Sequence, residues 1–144
     1  MVWDLDGTLW SGARDGSEPT LHPAARGLIA TLDERGIMQS VVRGGDAERA
    51  AVWLQRLGMA EFFLYPQMGV SAKSQGVRQI ASALNIRLDA TLLIDDEPRE
   101  REEVARAHPE VRVLAPTVLE RLANDPLMGR SLAAVEPRPR RLLY

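Results

Sequence analysis

The sequence predicts an α/β fold in which a parallel sheet of five strands is wrapped by helices. Short apolar runs typical of buried strands alternate along the chain with amphipathic stretches typical of helices. Glycine, proline and small polar residues separate these segments, as expected where strands and helices end. Two of the apolar runs end abruptly in acidic residues, at positions 4–6 and 95–96. We therefore expect ligand chemistry at the carboxyl edge of the sheet, where open α/β folds bind their ligands.

The first strand lies in residues 2–10, which read Val-Trp-Asp-Leu-Asp-Gly-Thr-Leu-Trp. Alternate residues of a strand face opposite sides, so an unbroken strand would point Asp4 and Asp6 the same way. Gly7 lets the chain leave the strand in a conformation that other residues resist. This stretch predicts two acids and a row of loop amides gathered at the end of a strand.

Four further strands and five helices complete the expected order. The strands are predicted at residues 37–42, 62–65, 91–94 and 111–114. Helices are predicted to begin near His22, Asp46, Ser74, Pro98 and Pro116. Asp46 and Ser74 are the expected N-caps, and Pro98 suits a first helical turn. The second helix is expected to bury a stripe of Ala47, Ala50, Ala51, Leu54 and Leu57.

Two segments fall outside this alternation. Residues 11–19 are polar and rich in glycine, which predicts a loop or flap beside the site that is too short for a cap domain. Residues 1–129 are expected to form one domain, and residues 130–144 a basic arm rich in proline and arginine. The arm is interpreted either as a segment packed on the domain or a linker, or as a docking segment for an acidic partner.

The composition excludes several classes of function. The net charge of −2 gives no reason to expect nucleic acid or an acidic membrane as a partner. The absence of cysteine excludes a disulfide scaffold, a thiolate zinc site and a cysteine nucleophile. Only two histidines are present, which argues against a histidine metal site. No apolar run reaches membrane-spanning length and no signal peptide is visible, so a cytoplasmic protein is expected.

The acidic residues indicate phosphoryl transfer. One carboxylate would attack phosphorus to form an acyl phosphate, while a second carboxylate passes protons. Adjacent carboxylates such as Asp95 and Asp96 repel each other at a buried strand end unless a cation or a donor compensates. A hard cation with oxygen ligands is the natural partner, and Mg²⁺ is the usual one in phosphate chemistry. A phosphorylated small molecule is the expected substrate.

The segment Asp4-Leu5-Asp6-Gly7-Thr8 resembles the first motif of the haloacid dehalogenase (HAD) superfamily. The resemblance implies a three-layer, Rossmann-like core. It also implies that Asp4 is the nucleophile and a metal ligand. Asp6 would then be the general acid and base, with its backbone carbonyl on the metal. Thr8 would donate its hydroxyl to the phosphate.

The other HAD motifs have counterparts further along the chain. Lys73, the only lysine, fits the third motif, where it would neutralise phosphate charge and hold the nucleophile. Asp95 and Asp96 match the acidic fourth motif, which binds the metal. The second motif departs from the family, because Arg43 occupies the position of a hydroxyl, followed by Gly44 and a second glycine. Arg43 can still bind phosphate, and the glycines let the backbone come close to it.

Sequence around these motifs resembles the capless FkbH-like branch, subfamily IIIC. The resemblance rests on Trp3 and on residues 9–12, 80–89 and 97–104. The branch implies transfer of the glyceryl unit of 1,3-bisphosphoglycerate to an acyl carrier protein. Because this chain has no thiol, it cannot carry a glyceryl thioester itself.

Three functions stay open at the level of sequence. The first is a magnesium-dependent phosphohydrolase acting on a small or carrier-linked phosphorylated metabolite. The second is the glyceryl transfer implied by the FkbH-like branch. The third is a catalytically weak binding or regulatory domain, which the unusual Arg43 favours and the retention of all four acids opposes.

Overall fold

The structure, a computed structural model, describes residues 1–12, 16–124 and 140–144. Five parallel strands form its main sheet: β1 (Val2–Trp3), β4 (Ser40–Arg43), β5 (Gln67–Met68), β6 (Leu92–Ile94) and β7 (Arg112–Leu114). Their order in the sheet is β5-β4-β1-β6-β7, which puts β1 at the centre. A separate antiparallel ribbon joins β2 (Trp10–Ser11) to β3 (Thr20–Leu21). The predicted parallel sheet of five strands is confirmed.

Helices cover both faces of this sheet. The helices are α1 (Ala25–Glu34), α2 (Ala47–Arg56), α3 (Lys73–Ala83), α4 (Pro98–Ala107) and α5 (Val118–Asn124). One hydrophobic core lies under α1, α2 and α5, and a second lies under α3 and α4. The protein therefore has three layers, and the described residues add no cap domain.

The two cores follow from the alternation of side chains along each strand. Trp3 and its neighbour across the ladder, Ile94, point into the first core. The preceding pair, Val2 and Leu93, points into the second core. Since both faces of a parallel sheet are buried, its two central strands β1 and β6 are apolar throughout.

Several local signals act as predicted. The Asp46 carboxylate caps α2 by accepting a hydrogen bond from the Arg49 backbone N–H at 3.1 Å. Pro98 occupies the first turn of α4. The inward face of α3 contains Val77, Ile80, Ala81 and Leu84, all buried as expected.

The third predicted strand was misplaced. Residues 62–65 were expected to form it, but Phe62 ends a 3-10 turn and Phe63 makes only an isolated bridge to Gln39. Tyr65 has a φ of 47°, so the chain turns there, and β5 forms only after Pro66. Phe62 and Phe63 pack in or against the first core, whereas Tyr65 is exposed.

Two further boundaries and the buried face of one helix differ from prediction. The strand predicted at residues 37–42 starts only at Ser40, because Ile37 is exposed. Helix α3 begins at Lys73, and Ser74 does not cap it. Ala47 and Ala51 of α2 are exposed, while Trp53 takes their expected place in the core.

The C-terminal arm is described only at its end, since residues 125–139 lie outside the described ranges, as does the predicted boundary at residue 129. Arg141 donates from Nε to the buried Asp33 carboxylate at 2.9 Å, and its guanidinium lies 5.3 Å from the centre of the Phe62 ring. The Tyr144 hydroxyl donates to the Leu84 carbonyl at 3.4 Å. The last residues therefore contact the domain.

Within the described ranges, no helix is long and apolar enough to cross a membrane.

Replacing either of two helical glycines by alanine should change the stability of the protein, in opposite directions. A Cβ on Gly76 would lie 2.5 Å from Val42 Cγ2, because α3 packs closely on β4 there. Nothing lies within 4 Å of a Cβ on Gly27, in the exposed part of α1. We expect Gly27→Ala to stabilise the protein by about 0.5–1 kcal/mol. Gly76→Ala should destabilise it by roughly 1–3 kcal/mol through overpacking. Thermal unfolding of both variants checks this, and equal shifts would contradict the packing described.

Candidate functional site

Three carboxylates meet at the carboxyl edge of the sheet. Asp4 follows β1 and Asp95 follows the neighbouring strand β6, and both backbone N–H groups still bond to an adjacent strand. Asp96 is the next residue along. Each of the three acids offers a carboxylate oxygen, and these oxygens all lie within 4.8 Å of one another. Because Asp4 and Asp95 are buried, their charges need compensation inside the protein.

Lys73 supplies that compensation. It is the first residue of α3, and its side chain reaches the acids that follow β1 and β6. Its ammonium donates to Asp4 Oδ1 and to Asp95 Oδ2, each at 2.6 Å. All three side chains are at least nine-tenths buried, so this is an internal ion triad.

Burial is the largest influence on the pKa of Asp4. It raises the pKa of Asp4 to about 7, with the Asp95 carboxylate adding to the rise and the Lys73 ammonium opposing it. Burial also disfavours the charged form of Lys73, but the carboxylates of Asp4 and Asp95 outweigh burial and raise the pKa of that lysine. A cation bound among the carboxylates would favour the ionised form of Asp4, which a nucleophile requires.

Helix α4 fixes the far side of the cluster. The backbone N–H of Glu97 donates to Asp95 Oδ1 at 2.9 Å, and the Arg101 guanidinium donates to the Asp95 carbonyl at 2.8 Å. Glu103 of the same helix accepts a hydrogen bond from the Ser74 backbone N–H at 2.9 Å. That carboxylate replaces the missing side-chain cap of α3 and so holds the turn that carries Lys73.

Thr8 and Gly7 close the loop over the acids. The Thr8 hydroxyl lies 3.1 Å from Asp4 Oδ2 and 3.3 Å from Asp96 Oδ1, and it accepts from the Asp96 backbone N–H at 3.0 Å. Gly7 has a φ of 79°, and a side chain there would collide with the Asp96 carboxylate. Glycine is therefore required at this position on two counts.

Asp6 lies beside this cluster and has different partners. Strand β1 ends at Trp3, so the unbroken strand expected across Asp4 and Asp6 does not form. Asp6 Oδ1 accepts from the Trp10 indole N–H at 2.9 Å, and Oδ2 lies 3.0 Å from the Arg43 guanidinium.

The structure thus assembles the predicted residues in two groups. Asp4, Thr8, Lys73, Asp95 and Asp96 form the cluster, whereas Asp6 and Arg43 form an ion pair beside it. Gly44 lies in the loop after β4, where a Cβ would come within 3.3 Å of the Val70 carbonyl.

Three residues of the site were missed at the level of sequence. Trp10 has a spacing of four from Asp6, which is a weak signal. Arg101 and Glu103 reach the site from α4, and no local pattern marks them. An oxygen donor set of three carboxylates fits a hard divalent cation, and the described residues offer no nitrogen or sulfur cluster of comparable size.

Solved structures share this fold. The N-terminal part of BF1531 from Bacteroides fragilis, which contains a phosphatase domain complexed with Mg, matches 85% of this chain with a TM-score of 0.71 and 23% identity. A HAD-superfamily hydrolase from Ehrlichia chaffeensis matches 69% with a TM-score of 0.56 and 17% identity. A protein from Streptomyces avermitilis assigned to the HAD hydrolase family matches 88% with a TM-score of 0.60 and 16% identity.

These matches differ in how much of the other protein they cover. The chain spans 39% of the BF1531 structure, 49% of the Ehrlichia protein and 91% of the Streptomyces protein. No protein-family model and no curated protein sequence matches the chain. The similarities confirm the predicted fold, a small Rossmann-like core that this chain shares with solved HAD-superfamily hydrolases. They do not bear on the FkbH-like branch, which stays a prediction.

The raised pKa of Asp4 predicts a pH-dependent cost to folding in the metal-free protein. The unfolded chain ionises Asp4 near its ordinary pKa of 3.8, whereas the folded protein ionises it only near 7. Folding stability is therefore lost as the pH rises through this interval. Asp4→Asn removes the titration, so its melting temperature relative to wild type should climb from about pH 4 to about pH 7 and then level off. A difference that is constant with pH would contradict this.

Proposed function

We propose that this chain is a magnesium-dependent phosphohydrolase of the HAD type, acting on a phosphorylated small molecule through an aspartyl phosphate at Asp4. The observation that carries the proposal is the buried triad in which Lys73 bridges Asp4 and Asp95, with Asp96 completing a group of oxygen ligands. The phosphatase domain and the bound Mg of the BF1531 structure support the same reading.

The carboxylates of Asp4, Asp95 and Asp96, with the backbone carbonyl of Asp6, would hold Mg²⁺. When bound, the ion would supply positive charge that reduces repulsion between the carboxylates and the phosphate. It would also favour the ionised form of Asp4 over the protonated form that burial favours.

The chain's own residues account for the two half-reactions. A carboxylate oxygen of Asp4 bonds to phosphorus while the bond from phosphorus to the leaving oxygen breaks, and Asp6 gives that oxygen its proton. Asp6 then takes a proton from water as the water oxygen bonds to phosphorus and the bond from phosphorus to the Asp4 oxygen breaks, which releases phosphate and restores the Asp4 carboxylate. Thr8, Lys73 and Arg43 donate to the charged oxygens of the group in transfer, and the backbone at Gly44 lines its approach.

A more specific alternative is glyceryl transfer from 1,3-bisphosphoglycerate to an acyl carrier protein. It rests on the FkbH-like resemblance and needs the same acids for the removal of phosphate. Since the chain has no cysteine, the glyceryl unit would pass directly to the thiol of the carrier. Mass spectrometry of a carrier protein incubated with enzyme and substrate distinguishes the two, because only transfer adds a glyceryl group.

A catalytically weak binding domain is the alternative from another class. The observation that favours it is the ion pair between Arg43 and Asp6, which occupies the proposed general acid. A screen of phosphorylated metabolites with Mg²⁺ separates this alternative from an enzyme, since a binding domain would give no turnover.

Asp4→Asn should abolish phosphatase turnover in a protein that stays folded. An amide resembles the carboxylate in shape but is a poor nucleophile and a weaker metal ligand. The matched control is Asp89→Asn, at an exposed carboxylate that pairs with Arg87, which should keep the wild-type rate. Steady-state assays on the best substrate of the metabolite screen test both variants. Near wild-type activity of Asp4→Asn would overturn Asp4 as the nucleophile.

Mg²⁺ should raise the melting temperature of the wild type, because it binds only the folded state. At a concentration one hundred times its Kd, a ligand stabilises by about 2.7 kcal/mol. The shift should shrink in Asp95→Ala and in Asp96→Ala, since each removes one proposed ligand. Differential scanning calorimetry with and without Mg²⁺ measures the shift. Titration calorimetry that finds no Mg²⁺ binding to the wild type would refute the metal site.

A further inference from the structure

Asp6 is held on both of its carboxylate oxygens by donors that lie outside the ion triad. Trp10 donates from its indole N–H to Oδ1 at 2.9 Å, and the Arg43 guanidinium lies 3.0 Å from Oδ2. The Trp10 side chain is buried, whereas the side chains of Arg43 and Asp6 are 19% and 39% exposed. One partner of Asp6 is therefore fixed in the core, and the other lies towards the mouth of the site.

The backbone explains why the indole is a fixed point. The Trp10 backbone carbonyl accepts a hydrogen bond from the Gly7 backbone N–H at 2.8 Å. The Trp10 backbone N–H donates to the Leu5 carbonyl at 3.2 Å. Trp10 also pairs with Leu21 in the β2–β3 ribbon. The residue is thus tied to the loop that carries Asp6 and to the ribbon beside it, while its ring packs in the first core.

The chemistry of the two partners decides how Asp6 can use its oxygens. An indole N–H and a guanidinium are donors only, so neither can accept a proton from a carboxylic acid. Each donor occupies one acceptor position of its oxygen, and a carboxyl oxygen that carries the proton still has a second position free to accept. Oδ1 is bonded to the buried Trp10 indole, whereas Oδ2 lies on the side of the partly exposed Arg43, so the proton that Asp6 delivers is carried by Oδ2.

We propose that Trp10 and Arg43 are positioning residues that hold the Asp6 carboxylate in the orientation in which Oδ2 delivers its proton to the leaving oxygen. The proposal rests on the proposed phosphohydrolase function. Arg43 has five N–H donors, so it can hold Asp6 and a phosphoryl oxygen together. It thereby takes over, by a different contact, the place that a hydroxyl holds in the second motif.

The test compares two substrates that differ in their need for a proton. The nitrophenolate of p-nitrophenyl phosphate leaves readily without being protonated. The phenolate of phenyl phosphate, whose conjugate acid has a pKa near 10 like that of tyrosine, leaves faster when a general acid protonates it. In Trp10→Phe, kcat/KM for phenyl phosphate should fall roughly tenfold or more beyond the fall for p-nitrophenyl phosphate. Loss of stability alone would lower both values by the same factor.

Trp3→Phe is the matched control. Trp3 is equally buried and its indole N–H also makes one hydrogen bond, but to Gln39 at 3.0 Å. This variant should leave the ratio of the two kcat/KM values at its wild-type level.

Arg43→Met tests the second partner and keeps the proposal falsifiable if Trp10→Phe does not fold. If Arg43 positions Asp6, the two substrates should again be affected unequally. If Arg43 only binds phosphate, both values should fall equally, because the phosphate group is common to the two substrates. Unchanged ratios in Trp10→Phe and in Arg43→Met would overturn the proposal. Wild-type protein that hydrolyses neither substrate with Mg²⁺ would instead refute the phosphohydrolase function on which the proposal rests.

Discussion

The bridge that Lys73 makes between Asp4 and Asp95 is the interaction on which the rest of the site depends. Two adjacent parallel strands end in carboxylates that the fold buries, and burying an unpaired charge is strongly unfavourable. A single ammonium lies 2.6 Å from each acid and pairs with both. This requirement fixes where α3 must begin. The close approach of Gly76 to β4 and the bond from Ser74 to Glu103 hold the helix in that place.

This arrangement divides the site into a buried part, formed by Asp4, Lys73 and Asp95, and a partly exposed part, formed by Asp6 and Arg43. Asp4, Lys73 and Asp95 are locked by burial and by mutual pairing, as a nucleophile and its support should be. Asp6 and Arg43 are partly exposed, and their ion pair can rearrange when an anionic group arrives. In the proposed function, the carboxylate that would exchange protons with substrate and water, Asp6, is the partly exposed one, and the carboxylate that would attack phosphorus, Asp4, is the buried one. The described residues add no cap domain on this side of the site.

The sequence predicted most of this arrangement because its signals are local. Paired acids at strand ends, the Asp46 cap and Pro98 depend on neighbours in the chain. The predictions failed where contacts between residues far apart in the chain determine the structure. Strand β5 lies beyond Pro66 because Phe63 packs in the core, and Ser74 bonds to Glu103 instead of capping α3. The hold of Trp10 on Asp6 depends on a tight loop whose geometry composition does not reveal.

Trapping the covalent intermediate tests the central claim, that Asp4 attacks phosphorus, most directly. Borohydride reduces an aspartyl phosphate to homoserine, which changes the mass of the modified peptide. We expect protein quenched during turnover with Mg²⁺ and substrate to contain homoserine at position 4, and protein quenched without substrate to contain none. Conversion at another acid, or hydrolysis that proceeds with Asp4 unmodified, would contradict the account.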